Sequence, residues 1–235
     1  MIKAFLLATV LALVVIPPVH AYEFEDGSVE VAFTTRSISA ALTQGGNTRG
    51  PALAVMKDDT VLLGGGRTGG ELLSFNKDGK TLRKLGSFIP SNRRIVDSRF
   101  AINDIAVLSE SSLTAKLLIS YPRLGAGRSC VEIAVDELVY DRKKQKATFV
   151  SNWFITKPCV PISAVQHTAG RFELIDKKSV YVTFGDLGYS LISDRTKRGD
   201  LGSIFKLTAS SASRVSEGHR NPQGIILYDK THLLA

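Results

Sequence analysis

Apolar residues come along this chain in short runs divided by polar or glycine-rich turns, and no long stretch carries the i, i+3, i+4, i+7 spacing of an amphipathic helix. The runs Ala52–Met56, Thr60–Leu63, Glu71–Phe75, Ile105–Val107, Lys116–Tyr121, Val131–Tyr140, Ala147–Trp153, Val180–Phe184, Ser203–Leu207 and Ile225–Tyr228 read as strands. Turn chemistry separates them: Lys57-Asp58-Asp59, Asn76 to Lys80, and Ile175 to Lys178. Many short strands at fairly regular spacing predict an all-β fold.

A repeat chooses among all-β folds. Strand, charged turn, strand, glycine-rich loop, strand describes the segment from Ala52 to Phe75, and the same plan returns from Gly170 to Leu207. A unit of this kind, roughly 40 to 50 residues long, is a β-propeller blade. A β-sandwich is the competing architecture, and the repeat argues against it.

The amino-terminal residues stand apart. Lys3 is followed by an unbroken apolar run from Ala4 to Ile16, which stops at Pro17-Pro18. Val19-His20-Ala21 has the small-x-small character of a cleavage site. Residues 1–21 are therefore expected to be a secretory signal peptide, and 22–235 a propeller domain. The run is short for a membrane span, so no stable membrane insertion is expected after cleavage. Cleavage after Ala21 leaves 214 of 235 residues, four or five blades at the size above. The ending, Ile225 to Ala235, reads as the first half of another hairpin, so the chain is expected to be a fragment of a longer propeller. Cys130 and Cys159 are the two cysteines, either a disulfide, as export favours, or two buried thiols.

Net charge is +8, concentrated in Arg93-Arg94, in 141–146 and in 194–198. These runs fall at turns and read as solvated loop tips, not as a nucleic-acid stripe, though a basic surface could attract an anionic ligand or redox partner.

Three clusters carry candidate chemistry: Gln166 to Arg171, Thr183 to Gly188, and Gly218 to Gly224. His167 precedes one hairpin strand and Asp186 follows its partner, so the hairpin should bring both to one rim. A carboxylate beside an imidazole fixes its tautomer and raises its basicity, the arrangement of a general base. In Gly-His-Arg-Asn-Pro-Gln-Gly, Arg220 offers a planar fork of donors, while Asn221 and Gln223 offer a donor and an acceptor each. That chemistry suits a planar, oxygen-rich, anionic cofactor.

These motifs together, HTAGRFELIDKKSVYVTFGDLG, GDLGSIFKL and EGHRNPQGI, resemble the soluble quinoprotein glucose/sorbosone dehydrogenases over about Gln166 to Leu227. The resemblance implies a six-bladed β-propeller that binds pyrroloquinoline quinone (PQQ) and calcium, a small-molecule sugar substrate and an external electron acceptor, in the periplasm or secreted. It implies His167 as general base, Asp186 as its supporting carboxylate, Arg220 and Asn221 as contacts to the quinone oxygens, and Gln223 beside the cofactor. Calcium ligands would lie beyond Ala235. The segment Arg99 to Asp104 departs from the family pattern, and the loop from Ser190 to Arg198 is short, so the substrate rim is expected to differ. A non-catalytic propeller that binds carbohydrate or protein is the alternative. A hydrolase is disfavoured, because no Ser or Cys nucleophile motif accompanies His167.

Overall fold

The computed structural model describes residues 21–23, 30–32, 52–66, 68–76, 82–95, 101–161, 167–229 and 232–235. The expected signal peptide, apart from Ala21, lies outside them, as do Gln166 and Arg99. The strands fall into two compact units, divided at position 37. In the first, β1 (Ala21–Glu23) pairs antiparallel with β2 (Glu30–Ala32).

The second unit is a series of antiparallel sheets in which each strand pairs with the next along the chain. The first sheet holds β3 (Ala52–Val55), β4 (Val61–Gly65), β5 (Glu71–Phe75) and β6 (Arg83–Ser87). The second holds β7 (Asp104–Glu110), β8 (Thr114–Leu124), β9 (Cys130–Asp141) and β10 (Lys146–Ile155), with the short β11 (Val160–Pro161) added beside β9. The third holds β12 (Ala169–Asp176), β13 (Ser179–Phe184), β14 (Ser203–Thr208) and β15 (Ala212–Glu217). A pair, β16 (Ile226–Leu227) and β17 (Leu233–Leu234), follows. The first strands β3, β7, β12 and β16 adjoin in succession, as the inner strands of propeller blades do. Among the described residues the helical content is one 3₁₀ turn, Ser91–Arg93.

Apolar side chains between successive sheets hold the stack together. Leu62, Leu72 and Leu85 of the first sheet pack on Leu117, Ile119, Tyr121 and Tyr140 of the second. Leu118, Val131, Val135 and Trp153, from the second sheet's other face, pack on Val180, Val182, Phe184 and Phe205 of the third. Alternate residues of β8 thus enter different cores, which is why Leu117-Leu118-Ile119 reads as continuously apolar. The rings of Phe154, Phe184 and Phe205 meet at centroid distances of 5.1 to 5.7 Å and fix the end of β13.

The blade plan is as the repeat predicted, with two differences. Sheet length varies: the second sheet runs beyond 40 to 50 residues, because β8, β9 and β10 run to 11, 12 and 10 residues, whereas the first, Ala52 to Ser87, falls short of that length. Each sheet also has an outer fourth strand, and in β6 and β15 these expose most of their side chains and carry little apolar signal. Cys130 and Cys159 form a disulfide that ties β9 to the segment entering β11.

Two arginines of the basic runs, Arg142 and Arg198, depart from the solvated reading, whereas Arg195 keeps to it. Arg198 is buried and paired with Glu217 at 2.6 Å, and Arg142 is held by Asp58 and Glu110. The lysines of those runs remain exposed: an arginine fork satisfies several buried acceptors at once, whereas an ammonium is more strongly hydrated.

Candidate active site

Strand register builds the site. Ala169 pairs with Phe184 across β12 and β13. Extending that pair two residues on both strands sets His167 opposite Asp186, and their side chains meet, Nδ1 to Oδ1, at 2.8 Å. Asp186 is buried and His167 keeps about a quarter of its side chain exposed, 23%. The same Asp186 oxygen accepts the Gly188 N–H at 2.8 Å, which fixes the carboxylate. With Nδ1–H donating to a carboxylate, a neutral imidazole carries its lone pair on Nε2, the nitrogen free to take a proton.

Unusual backbone holds this pair. His167, Ala169 and Leu187 have φ of 55°, 48° and 54°, a left-handed region that non-glycine residues rarely occupy and that clusters at functional sites. Leu187 N–H donates to His167 O at 3.2 Å, and Gly185 N–H to Thr168 O at 3.3 Å. The two segments approach so closely that a Cβ on Gly185 would lie 1.7 Å from His167 O.

The Gly218–Gly224 turn leaves β15 directly beneath this pair. Three hydrogen bonds anchor it: His219 N–H to Gly202 O at 2.9 Å, Asp186 N–H to Arg220 O at 2.8 Å, and Ala169 N–H to Asn221 Oδ1 at 3.1 Å. His219 adds a ring contact, Nε2 to Ser216 Oγ, at 2.7 Å. The turn is therefore bonded to both ends of the β12–β13 hairpin. Asn221 is half-buried and spends its oxygen on this scaffold, leaving its amide N–H groups. Arg220 and Gln223 are exposed, and among the described residues their side chains make no hydrogen bond or ion pair. The structure thus brings Asp186, His167 and Asn221 together, and leaves Arg220 and Gln223 on the accessible side of the same turn.

A cleft of about 380 Å³ opens here, lined by Asp186, Gly202, His219, Arg220 and Arg198. Sequence reasoning missed Arg198, because a basic run at a turn looks solvated. Its Nε is buried without a partner among the described residues, and its hydrogen bond to Glu217 holds that carboxyl below the usual range. Asn103 was missed too. It is buried behind the hairpin, Oδ1 accepting from Thr168 Oγ1 at 3.2 Å, with Nδ2 left without a partner among the described residues. An Asn-Asp pair at a strand start was its only signal. The neighbouring Asp104 accepts N–H groups from Phe172 and Ile105, yet burial raises its carboxyl above the ordinary value.

The side chains on this rim suit a planar, oxygen-rich anion: the Arg220 guanidinium, outside any ion pair among the described residues, and the Asn221 amide N–H groups can donate, and His167 Nε2 can accept a proton. They do not fit calcium. Among the described residues no group of three or more His, Cys, Asp or Glu side chains could hold a metal ion. No helix among the described residues is long and apolar enough to cross a membrane.

No protein-family model matches the chain, and no curated protein does. Solved structures do. A glucose dehydrogenase superposes with a TM-score of 0.62 at 17% identity, over 81% of this chain and 60% of that one. A second glucose dehydrogenase gives 0.59 at 17%, over 77% and 54%. The soluble aldose sugar dehydrogenase of Escherichia coli gives 0.54 at 20%, over 72% and 45%. The chain spans about half the length of these structures, and over that span it has their all-β propeller fold.

Proposed function

We propose that this chain belongs to an exported quinoprotein dehydrogenase that oxidises an aldose or similar alcohol. The observation that carries the reading is the His167–Asp186 pair, bonded through the backbone to the turn that presents Arg220, Asn221 and Gln223. A structural histidine has no need of that company. The structures this chain superposes on, named as glucose and aldose sugar dehydrogenases, support the same reading.

PQQ, when bound, supplies a quinone that accepts the hydride leaving the carbinol carbon. His167 Nε2 takes the proton of the substrate hydroxyl, and the buried Asp186 carboxylate stabilises the imidazolium that results. Its bond to Gly188 N–H keeps the ring aimed while the charge changes. Arg220 and the Asn221 amide would hold the quinone oxygens, with Gln223 beside them. Calcium would come from ligands outside the described residues. Electrons would leave to an external acceptor, in the periplasm or the medium, and neither nucleic acid nor a membrane is needed.

The test uses the full-length protein with PQQ and calcium, followed by absorbance, and aldose oxidation with an artificial acceptor. His167→Ala should bind PQQ as the wild type does and lose about 10²- to 10⁴-fold in turnover. Full turnover in that variant ends the general-base assignment. Failure of the wild type to bind PQQ hands the site to the alternative, a non-catalytic propeller that binds carbohydrate or protein.

A further inference from the structure

We propose that the rim opposite the His167–Asp186 pair carries a second binding site, for a small oxyanion, between the sheet of β3–β6 and the sheet of β7–β11. The two rims are distinguished by hydrogen bonds. At the His167 rim, Ile102 N–H donates to Gly69 O, Thr168 meets Asn103, and Ser120 Oγ bonds Gly170 O. The antiparallel strands then run to the far rim, where the β3–β4 turn, the start of β6 and the β9–β10 turn converge. Lys57 N–H bonds Glu110 there, and Arg142 joins Asp58 to Glu110.

A cleft of about 440 Å³ opens at this junction, lined among others by Asp58, Thr60, Phe75, Arg83, Tyr140 and Lys143. Its floor is built. Arg142 donates Nε to Ser111 O at 3.0 Å and its other nitrogens to Asp58 and Glu110, so two carboxylates more than balance its charge. Tyr140 is buried, and burial raises its phenol above the usual value, with Arg142 and Arg83 near enough to oppose that shift. The hydroxyl therefore stays protonated and can donate. Arg83 and Lys143, from different sheets, both line the cleft, are exposed, and form no ion pair among the described residues. The cleft thus has one positive charge more than its carboxylates balance, with Arg83 and Lys143 outside any ion pair among the described residues, and a phenol donor, a Thr60 hydroxyl and the Phe75 ring in its lining. The excess positive charge disfavours a cation, and a neutral sugar would leave the Arg83 and Lys143 donors without an anionic partner. A carboxylate or phosphate on a body of monosaccharide size satisfies them.

The test is calorimetric titration of the purified protein with inorganic phosphate, gluconate and glucose at low ionic strength. Saturable binding of phosphate or gluconate, and none of glucose, is expected; which anion binds more tightly tells a phosphate ligand from a carboxylate one. Arg83→Gln and Lys143→Gln should each weaken that binding about tenfold, and the double variant about a hundredfold. Both side chains are exposed, so unchanged melting curves will show that lost binding is not lost fold. The proposal is overturned by absence of saturable oxyanion binding up to about 10 mM. It is equally overturned by glucose binding as well as the anions, or by a double variant that binds like the wild type. Neither residue touches the His167 rim, so this outcome is independent of the dehydrogenase assignment.

Discussion

Gly185→Ala probes the link between fold and site most directly. A Cβ at this position would lie 1.7 Å from His167 O and 2.6 Å from its carbonyl carbon, whereas such contacts below 3.0 Å are not sustained. The Gly185 and His167 backbones must therefore separate by about 1.3 Å, and since the obstructing atoms are backbone, no side-chain rotation relieves them. The His167–Asp186 bond, at 2.8 Å, has only about 0.4 Å to give before it passes the usual range for N–H···O. The substitution should break the pair as well as cost about 1–3 kcal/mol. For a chain of this size that lowers Tm by about 2 to 12 °C. The control is Gly224→Ala in the adjacent turn, where a Cβ meets nothing within 4 Å. Its effect should stay within about 0.5 kcal/mol. Thermal unfolding by circular dichroism measures the first effect. The ring N–H proton resonance of His167, identified by its loss in His167→Ala, measures the second. If Gly185→Ala melts with Gly224→Ala and keeps that resonance, close approach does not position the pair.

Three further outcomes are expected. Replacing both cysteines by serine opens a crosslink spanning 29 residues and should lower stability by about 3–4 kcal/mol, read from the urea midpoint; an unchanged midpoint contradicts a structural role for the bond. Asn221→Ala removes the acceptor of Ala169 N–H and should lower stability by about 1–2 kcal/mol, while Asn221→Asp, which keeps an oxygen there, should recover most of it; equal losses would show that the bond is not what matters. Asp104 holds its proton more tightly folded than unfolded, because burial raises its carboxyl above 3.8. Its contribution is therefore fully present below that value and is lost as pH rises through the higher folded-state value. The stability difference between wild type and Asp104→Asn, followed from about pH 3 to 7, should shift against the wild type as pH rises, and a flat difference would rule this out.

The all-β class and the blade plan were legible in the sequence, because strand periodicity and turn chemistry are local properties. Val180–Phe184 reads as a strand from its own residues, and Lys57-Asp58-Asp59 as a turn from its own. The outer strands β6 and β15 were not legible, since their side chains face solvent and only backbone pairing to β5 and β14 makes them strands. For the site, the sequence alone supplied the residue types and the inference that one hairpin brings His167 and Asp186 to one rim. Only the tertiary structure decided the rest. Register sets their separation, the Gly185 approach locks it, and Asn221 ties in a turn that follows more than fifty residues after His167. The fate of Arg142 and Arg198 was likewise decided in three dimensions, because a guanidinium in a basic run stays solvated or becomes buried according to where distant carboxylates, Glu110 and Glu217, happen to fold. Local pattern specifies which residues can form an element; the pairing of distant segments determines which of them meet.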